Sequence, residues 1–303
     1  MDGFRIPLGT VAEAVVDVLG DVFGGFFDAV ATVLRAVYGG LETALSAPPF
    51  WIVILVLAAI AFAARGWRLA LGTALGLLVI VGVDQWDNAM DTLALVLVAA
   101  IVAIVIAIPL GIAAARSGAV SRVVRPVLDF LQTMPAFVYL IPAIIFFGVG
   151  AVPGMIATIM FALAPGVRLT ELGIRGVDPE VVEAGQAFGA TPGRVLRQIQ
   201  LPLALPSIMA GVNQVIMLSL SMVVIAGMVG AGGLGGEIVA AIGRINVGLG
   251  FEAGISVVII AMILDRITSG LGRGDRRRRT TGARATPARD TDDAADARVP
   301  ATA

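Results

Sequence analysis

Residues 178–202 form a charged stretch, punctuated by proline and glycine, inside a chain that is otherwise strongly apolar. The charged side chains in this stretch are Asp178, Glu180, Glu183, Arg194 and Arg197. Each of them would cost about 2.5–3.5 kcal/mol at the centre of a membrane-spanning helix. We therefore expect the 178–202 segment to lie in water between two membrane spans, where it can serve as a docking element.

Local signals predict a short helix at the start of this segment. Asp178 is a good N-cap residue, Pro179 fits the first helical position, and Glu180 adds negative charge to the first turn. The helix should cover about residues 180–188. Gly189 is placed to end it in a left-handed cap.

A second short helix should follow directly. Thr191 can cap it and Pro192 occupies its first position, so that residues up to about Leu201 are helical. Pro202 and Pro206 are then expected to break it. The segment is therefore predicted to be two short helices with a sharp corner between them, neither of them long enough to cross a bilayer.

The composition of the whole chain is that of a membrane protein. Of its 303 residues, 58% are hydrophobic and 14% are charged, whereas a soluble protein carries about 25% charged residues. We predict an all-α polytopic membrane protein with about seven transmembrane helices, or six if residues 50–83 are partly re-entrant. The spans are expected at about 50–64, 67–83, 91–115, 130–149, 152–166, 206–229 and 251–268.

The residue types that the chain lacks exclude several kinds of chemistry. It has no histidine and no cysteine, and all 21 basic residues are arginine. Thiol or histidine catalysis, disulfides and nearly all zinc or haem sites are therefore excluded. Without lysine, the chain cannot form a phosphate-binding GxxxxGK-S/T loop. We expect no catalytic residue, no metal site and no cofactor in this chain, and if ATP drives it, another subunit hydrolyses the ATP.

Arginine indicates the orientation in the membrane, because arginine-rich loops stay on the cytoplasmic side. Four groups of arginines fall on that side if the N-terminus is outside and the C-terminus is cytoplasmic. They are Arg65 and Arg68; Arg116, Arg122 and Arg125; Arg168, Arg175, Arg194 and Arg197; and Arg266 with the run 276–279. The loop 84–91, expected outside, has three aspartates and no arginine. This orientation puts the 178–202 segment in the cytoplasm.

Both ends of the chain differ from the apolar body, residues 49–270. Residues 1–48 combine a helical apolar period with several carboxylates, which predicts an amphipathic extracytoplasmic or interfacial segment. Residues 271–303 are polar, which predicts a disordered cytoplasmic tail. Their four-arginine run abuts a span and is typical of a topology anchor that contacts anionic lipid, not of a nucleic-acid site.

Few polar side chains are expected inside the spans. Asn213, Gln214 and Ser221 lie in the sixth of them. An amide is costly in a membrane unless it is hydrogen-bonded or wetted, so these side chains either line a translocation path or join two helices. The glycine-rich run 230–236 is expected to be a tight turn, or else a gate or re-entrant turn near the outer mouth.

The 178–202 segment resembles the EAA loop of bacterial ABC importer permeases. The matching residues are Glu183, Ala184, Gly185, Gly189, Ile199, Leu201 and Pro202. Gly185 stands where the consensus of that loop has a second alanine. In the family the loop forms cytoplasmic coupling helices that sit in a cleft of the ATP-hydrolysing subunit. The resemblance implies that these residues couple this chain to such a subunit.

Further stretches look like the permeases of glycine betaine and proline importers, which take up quaternary amines. They are residues 131–150, 200–214, 221–238 and 247–268, and the similarity covers about residues 85–270. The resemblance implies a type I importer fold in the inner membrane, a role in osmoprotection, a permease homodimer, ATP-binding cassette ATPase subunits and an extracytoplasmic substrate-binding protein. A quaternary ammonium substrate is usually bound in a cage of aromatic rings. The chain has only three Trp and two Tyr, scattered along its length, so capture of the substrate by a separate binding protein fits the composition.

Other functions share parts of this pattern. An ABC permease for another small solute, such as an amino acid, would have the same loop. A secondary transporter would need no ATPase, but it would usually carry ionisable side chains inside its spans, and the predicted span interiors lack Asp, Glu and Arg. A membrane enzyme is disfavoured because the chain lacks His, Cys and Lys and its spans lack clustered carboxylates. An importer permease is therefore the function that the sequence favours.

Overall fold

The computed structural model describes the backbone of residues 7–282 and the side chains of Pro7 and residues 9–270. The side chains of the four-arginine run and all of residues 283–303, which belong to the predicted tail, lie outside the described residues. Within the described residues the chain forms helices and no strands, as predicted. The helices are α1 Leu8–Ser46, α2 Phe50–Arg65, α3 Trp67–Gly82, α4 Trp86–Arg116, α5 Gly118–Thr133, α6 Ala136–Phe147, α7 Ala151–Arg175, α8 Pro179–Ala187, α9 Pro192–Val195, α10 Leu201–Ser221, α11 Val223–Met228, α12 Gly233–Arg244 and α13 Val247–Gly282. A π-helical turn, Leu196–Gln200, joins α9 to α10.

Four helical stretches are long and apolar enough to cross a membrane: α4, α7, Pro192–Met228 and Val247–Gly270. Two bent pairs also qualify if each pair is one span, namely Gly9–Ser46 with Phe50–Arg65, bent by 105°, and α5 with α6, bent by 99°. The predicted alternative of six spans falls within this range of four to six. The count of seven does not, because Trp67–Gly82 has 16 residues and reaches about 24 Å across a hydrocarbon core of roughly 30 Å.

The centre of the fold is α7, which packs between α4 and α10. Small residues let these helices approach closely: an added Cβ at Gly166 would lie 2.8 Å from the Cβ of Ala107, and one at Gly173 would lie 2.7 Å from the Cβ of Ser207. Contacts between small residues are a usual means of association between helices in a membrane, where lipid is as apolar as the side chains. The 178–202 segment is therefore attached at both ends to closely packed helices.

The amphipathic segment predicted at the N-terminus is one 39-residue helix, α1. It packs on α4 and α6, and the ring of Phe27 stacks on that of Phe146 with 4.4 Å between their centroids. Many other apolar side chains of α1, such as Val18 and Val22, are exposed. This is the pattern of a helix with one face on a bundle and another suited to lipid.

Candidate functional site

The 178–202 segment begins with the helix that its capping residues predict. α8 starts directly after Asp178, whose side chain accepts a hydrogen bond from the amide of Glu180 at 3.0 Å. After α8 the chain turns at Gly189, which has φ +78°. The Gly189 amide donates to the carbonyl of Gln186 at 2.8 Å, and the next amide donates to the carbonyl of Gly185 at 3.1 Å. These two bonds form a Schellman motif, so the predicted N-cap and left-handed C-cap are both confirmed.

The second helix of the segment does not stop at the prolines, and its predicted end is wrong. α9 begins at the predicted residue but continues through the π-helical turn into α10, as one helical stretch Pro192–Met228. In the wide turn the amide of Leu201 donates to the carbonyl of Leu196. Pro202 then falls in the first turn of α10, where a missing amide hydrogen costs little, and Pro206 is accommodated inside α10. The second half of the segment is therefore the projecting end of a membrane helix.

The residues that resemble a coupling loop form an outer and an inner set. The exposed, outer set is Glu183, Ala184, Gly189 and Pro202. The inner, half-buried set is Gly185, Ile199 and Leu201. Sequence reasoning missed Phe188, whose side chain is 93% exposed beside the corner. The sequence pattern that could have identified it is an aromatic residue next to the glycine that ends a polar helix. Exposed aromatic side chains commonly anchor protein interfaces.

The two helices of the segment meet where Gly185 faces Ile199. A Cβ added at Gly185 would come closer than 3.0 Å to Cδ1 of Ile199. That methyl group ends a flexible side chain, so a small residue can be accommodated by its rotation. The isoleucine thus fills the space that the consensus alanine would occupy at position 185.

We expect Gly185→Val to lower the stability of this corner by about 1–3 kcal/mol, because a branched side chain overpacks the contact with Ile199. Gly185→Ala should cost less than the valine. The midpoint of thermal unfolding in detergent measures both effects. Adding Ile199→Ala to Gly185→Val should restore the midpoint, and a double variant less stable than either single variant would contradict this packing.

A buried ion-pair network, also missed from the sequence, lies directly before the segment. Glu171 of α7 is 3% exposed, and its carboxylate lies 3.0 Å from the nearest nitrogens of Arg125 and of Arg175. In the sequence, the arginines are explained as topology anchors. Only the i,i+4 spacing of Glu171 and Arg175 indicates an ion pair. Glu171 lies beyond residue 166, where the span was predicted to end, because α7 extends to Arg175.

The three path candidates of α10 lie in different surroundings. Asn213 is half-buried, and its amide group donates to the carboxylate of Asp265 at 3.1 Å and accepts from the hydroxyl of Thr268 at 2.6 Å. Gln214 and Ser221 are exposed, and the Ser221 hydroxyl donates to a backbone carbonyl of α10 at 3.1 Å. Asn213 therefore joins α10 to α13, which is one of its two expected roles. That Gln214 and Ser221 line a path stays a prediction.

The glycine-rich run forms the tight turn between α11 and α12. Three of its glycines have positive φ. The two helices then approach so closely that a Cβ added at Gly235 would come within 3.0 Å of the carbonyl oxygen of Val223. The amide of Leu234 donates to the hydroxyl of Thr92 at 2.8 Å. This hydrogen bond attaches the α11–α12 hairpin to α4.

Comparison with known sequences identifies a family and several relatives of this chain. The family described as binding-protein-dependent transport system inner membrane component matches residues 107–274. The chain is 48% identical over 267 residues to the glycine betaine transport system permease protein OpuAB of Bacillus subtilis (strain 168), covering 88% of this chain and 95% of that protein. It is 45% identical over 282 residues to the glycine betaine/proline betaine transport system permease protein ProW of Escherichia coli (strain K12), covering 91% and 80%.

Among solved structures, the chain resembles inward-facing conformations of the MetNI methionine ABC transporter. The TM-score is 0.54 at 22% identity, with 65% of this chain and 95% of that chain covered. At this identity the likeness is one of fold. It confirms the predicted all-α architecture of a type I importer.

Proposed function

Because this chain belongs to the family of binding-protein-dependent transport system inner membrane components, we propose that it takes up glycine betaine, proline or a related osmolyte. It is an inner-membrane permease subunit of an ABC importer. One observation supports this substrate class above others: the 48% identity to a glycine betaine permease extends over 95% of that protein. The identity therefore includes the membrane helices as well as the 178–202 segment.

The partners follow from the family and from the segment. The family depends on a substrate-binding protein and on an ATPase. ATP is hydrolysed on the separate ATPase subunit, which receives the outer set of the segment, and two permease chains pair as a homodimer. We place the C-terminus and the arginines that follow α4 in the cytoplasm, on the side on which the ATPase docks. The N-terminus is outside if five spans are counted, namely the four long helical stretches and the α5–α6 pair, because the number of crossings is then odd.

The continuity of the second coupling helix with α10 supports a direct mechanism. Pro192–Met228 is one helical stretch of 37 residues, about 55 Å long. A displacement of its projecting end by the ATPase moves the membrane part of the same helix. Asn213 joins α10 to α13 through Asp265 and Thr268, so α13 follows. Gln214 and Ser221, exposed on α10, are the residues that we place along the path that this movement opens and closes.

Uptake in proteoliposomes tests the function. The permease, reconstituted with an ATP-binding cassette ATPase and a binding protein from the same genome, should accumulate labelled glycine betaine only when ATP is supplied on the ATPase side. The permease should also co-purify with that ATPase. Uptake of an amino acid in place of any methylated amine would overturn the substrate class. Uptake driven by an ion gradient with no ATPase present would overturn the importer mechanism.

A further inference from the structure

The buried carboxylate of Glu171 lies where the ends of three helices meet. From α5, the Ser121 hydroxyl donates to its Oε1 at 2.8 Å, and Arg125 donates through Nη2 to Oε1 at 3.0 Å and through Nε to Oε2 at 3.4 Å. From α7 itself, Nε of Arg175 lies 3.0 Å from Oε1. Arg175 also donates to the carbonyl of Ala114 in the last turn of α4, at 2.8 Å. One carboxylate thus connects α4, α5 and α7.

The energetics of such a network favour a role in geometry. A carboxylate that is 3% exposed is stable only while its cations and hydrogen bonds are in place. A buried ion pair is weak evidence for stability, because apolar side chains of similar volume often stabilise a fold as well or better. The two-pronged bonds from Arg125 are directional, however. The network therefore specifies how α5 sits on α7 more than it strengthens the fold.

The end of α7 carries the 178–202 segment. Arg175 is the last residue of α7, and Asp178 caps α8 three residues later. Every residue of α8 is at least partly exposed, so the position of α8 depends on the elements at its two ends. Arg116 and Arg175 line a groove of about 270 Å³ together with Gln186 of α8. The network therefore lies immediately beneath the element that meets the ATPase.

The other end of α5 leads into the membrane. α5 turns by 99° into α6. Tyr139 and Leu140 of α6 are buried in a cluster with Met222 and Val229, the residues that flank α11. α5 is thus a physical link between the end of α7, at the segment, and the contact of α6 with the α11–α12 hairpin.

We propose that Glu171 is a positioning residue of the transport cycle. Its carboxylate holds α5 to the end of α7, so that a displacement of the 178–202 segment by the ATPase is passed to α5 and α6 as well as to α10. The proposal rests on the proposed function, since it requires an ATPase at that segment. It predicts that loosening the network uncouples ATP hydrolysis from transport without preventing assembly.

The variant Arg125→Met tests this with the least disturbance. It removes the bonds from α5 and keeps the apolar stem of the side chain, and Glu171 keeps its pairing with Arg175. We expect osmolyte uptake per ATP hydrolysed to fall by about 2- to 30-fold, the range of couplings carried by such networks. Arg125→Lys should recover part of the loss, and Glu171→Gln should behave like Arg125→Met. A purely structural role would lower uptake and hydrolysis together and leave their ratio unchanged.

The chain offers a matched control in a second ion pair between the same helices. Arg168 of α7 pairs with Asp129 of α5, and their side chains are 42% and 61% exposed, where pairs contribute little. Asp129→Asn should keep the wild-type ratio of uptake to hydrolysis. The inference is wrong if Arg125→Met and Asp129→Asn give the same ratio.

Hydrogen exchange separates this inference from the proposed function. In the purified full-length permease, Arg125→Met should speed exchange of the α8 amides, and Asp129→Asn should not. Unchanged exchange in α8 would overturn the positioning role whatever the importer carries. A wild type without ATP-dependent uptake would overturn the proposed function and the role in a transport cycle, but faster exchange in Arg125→Met would still show that the network positions α8.

Discussion

Gly189→Val should reduce ATP-driven uptake by about tenfold or more while the protein remains folded and inserted. Gly189 has φ +78°, a conformation that costs an ordinary L-residue roughly 1–2 kcal/mol and is rarer still for a β-branched one. A Cβ at this position would meet no atom of the described residues within 4 Å, so the effect arises from the backbone alone. The variant relieves the strain by unwinding the corner, which changes the direction of α8 relative to α9. Each 1.36 kcal/mol lost in the transport step lowers its rate about tenfold.

Gly189→Asn is the control for this prediction. Asparagine enters the left-handed region more readily than other residues with a side chain, so uptake should stay within about twofold of the wild type. The measurement is initial uptake and ATP hydrolysis in proteoliposomes that contain equal amounts of assembled importer. Wild-type uptake by Gly189→Val would show that the corner has no part in coupling.

The first half of the 178–202 segment could be predicted because its signals are local. Asp178 and Glu180 lie two residues apart, and the bonds that end α8 at Gly189 join residues within one turn. Side chains at such spacing meet whenever the helix forms, whatever surrounds it. Capping rules therefore gave the start of α8 and its left-handed end without knowledge of the tertiary structure.

The second half was mispredicted because two local rules compete there. Pro202 and Pro206 predict a helix end when they are considered alone. The π-helical turn Leu196–Gln200 places Pro202 in the first turn of α10, where proline is favoured. Nothing in the sequence marks that turn, so the continuity of the segment with α10 becomes visible only in three dimensions.

The network of Glu171 could not be predicted for a different reason. Its partners Ser121 and Arg125 are 50 and 46 residues away along the chain. Each is unremarkable in its own stretch, and arginines near a span already have an explanation as topology anchors. Only the packing of α5 on α7 brings them to one carboxylate. Asn213 was recognised as a polar residue in a span that either lines a path or joins two helices. The choice between these roles required the contact with Asp265, which lies on a helix distant in the sequence.

Gly235→Ala should prevent the α11–α12 hairpin from packing, and so lower the yield of folded protein together with uptake. A Cβ at Gly235 would come closer than 3.0 Å to the carbonyl carbon and oxygen of Val223. These are backbone atoms that cannot rotate away as the end of a side chain does, so the two helices have to separate. Overpacking of this kind costs about 1–3 kcal/mol and sometimes more. The separation would also pull on the bond from the Leu234 amide to Thr92, which attaches the hairpin to α4.

The neighbouring glycine provides the control for this substitution. A Cβ at Gly236 would meet no atom of the described residues within 4 Å, and alanine favours a helix over glycine by about 0.5–1 kcal/mol. Gly236→Ala should therefore unfold at the wild-type temperature or above it. Gly227→Ala should be as damaging as Gly235→Ala, because its Cβ would come closer than 3.0 Å to the backbone of Gly235.

Thermal unfolding in detergent and the amount of monodisperse protein after purification measure these variants. Equal midpoints for Gly235→Ala and Gly236→Ala would show that the hairpin does not need the close approach. The two substitutions add the same methyl group to adjacent positions of one helix, so helix propensity and hydrophobicity change alike in both. Any difference between them therefore reports the distance between the backbones of α11 and α12.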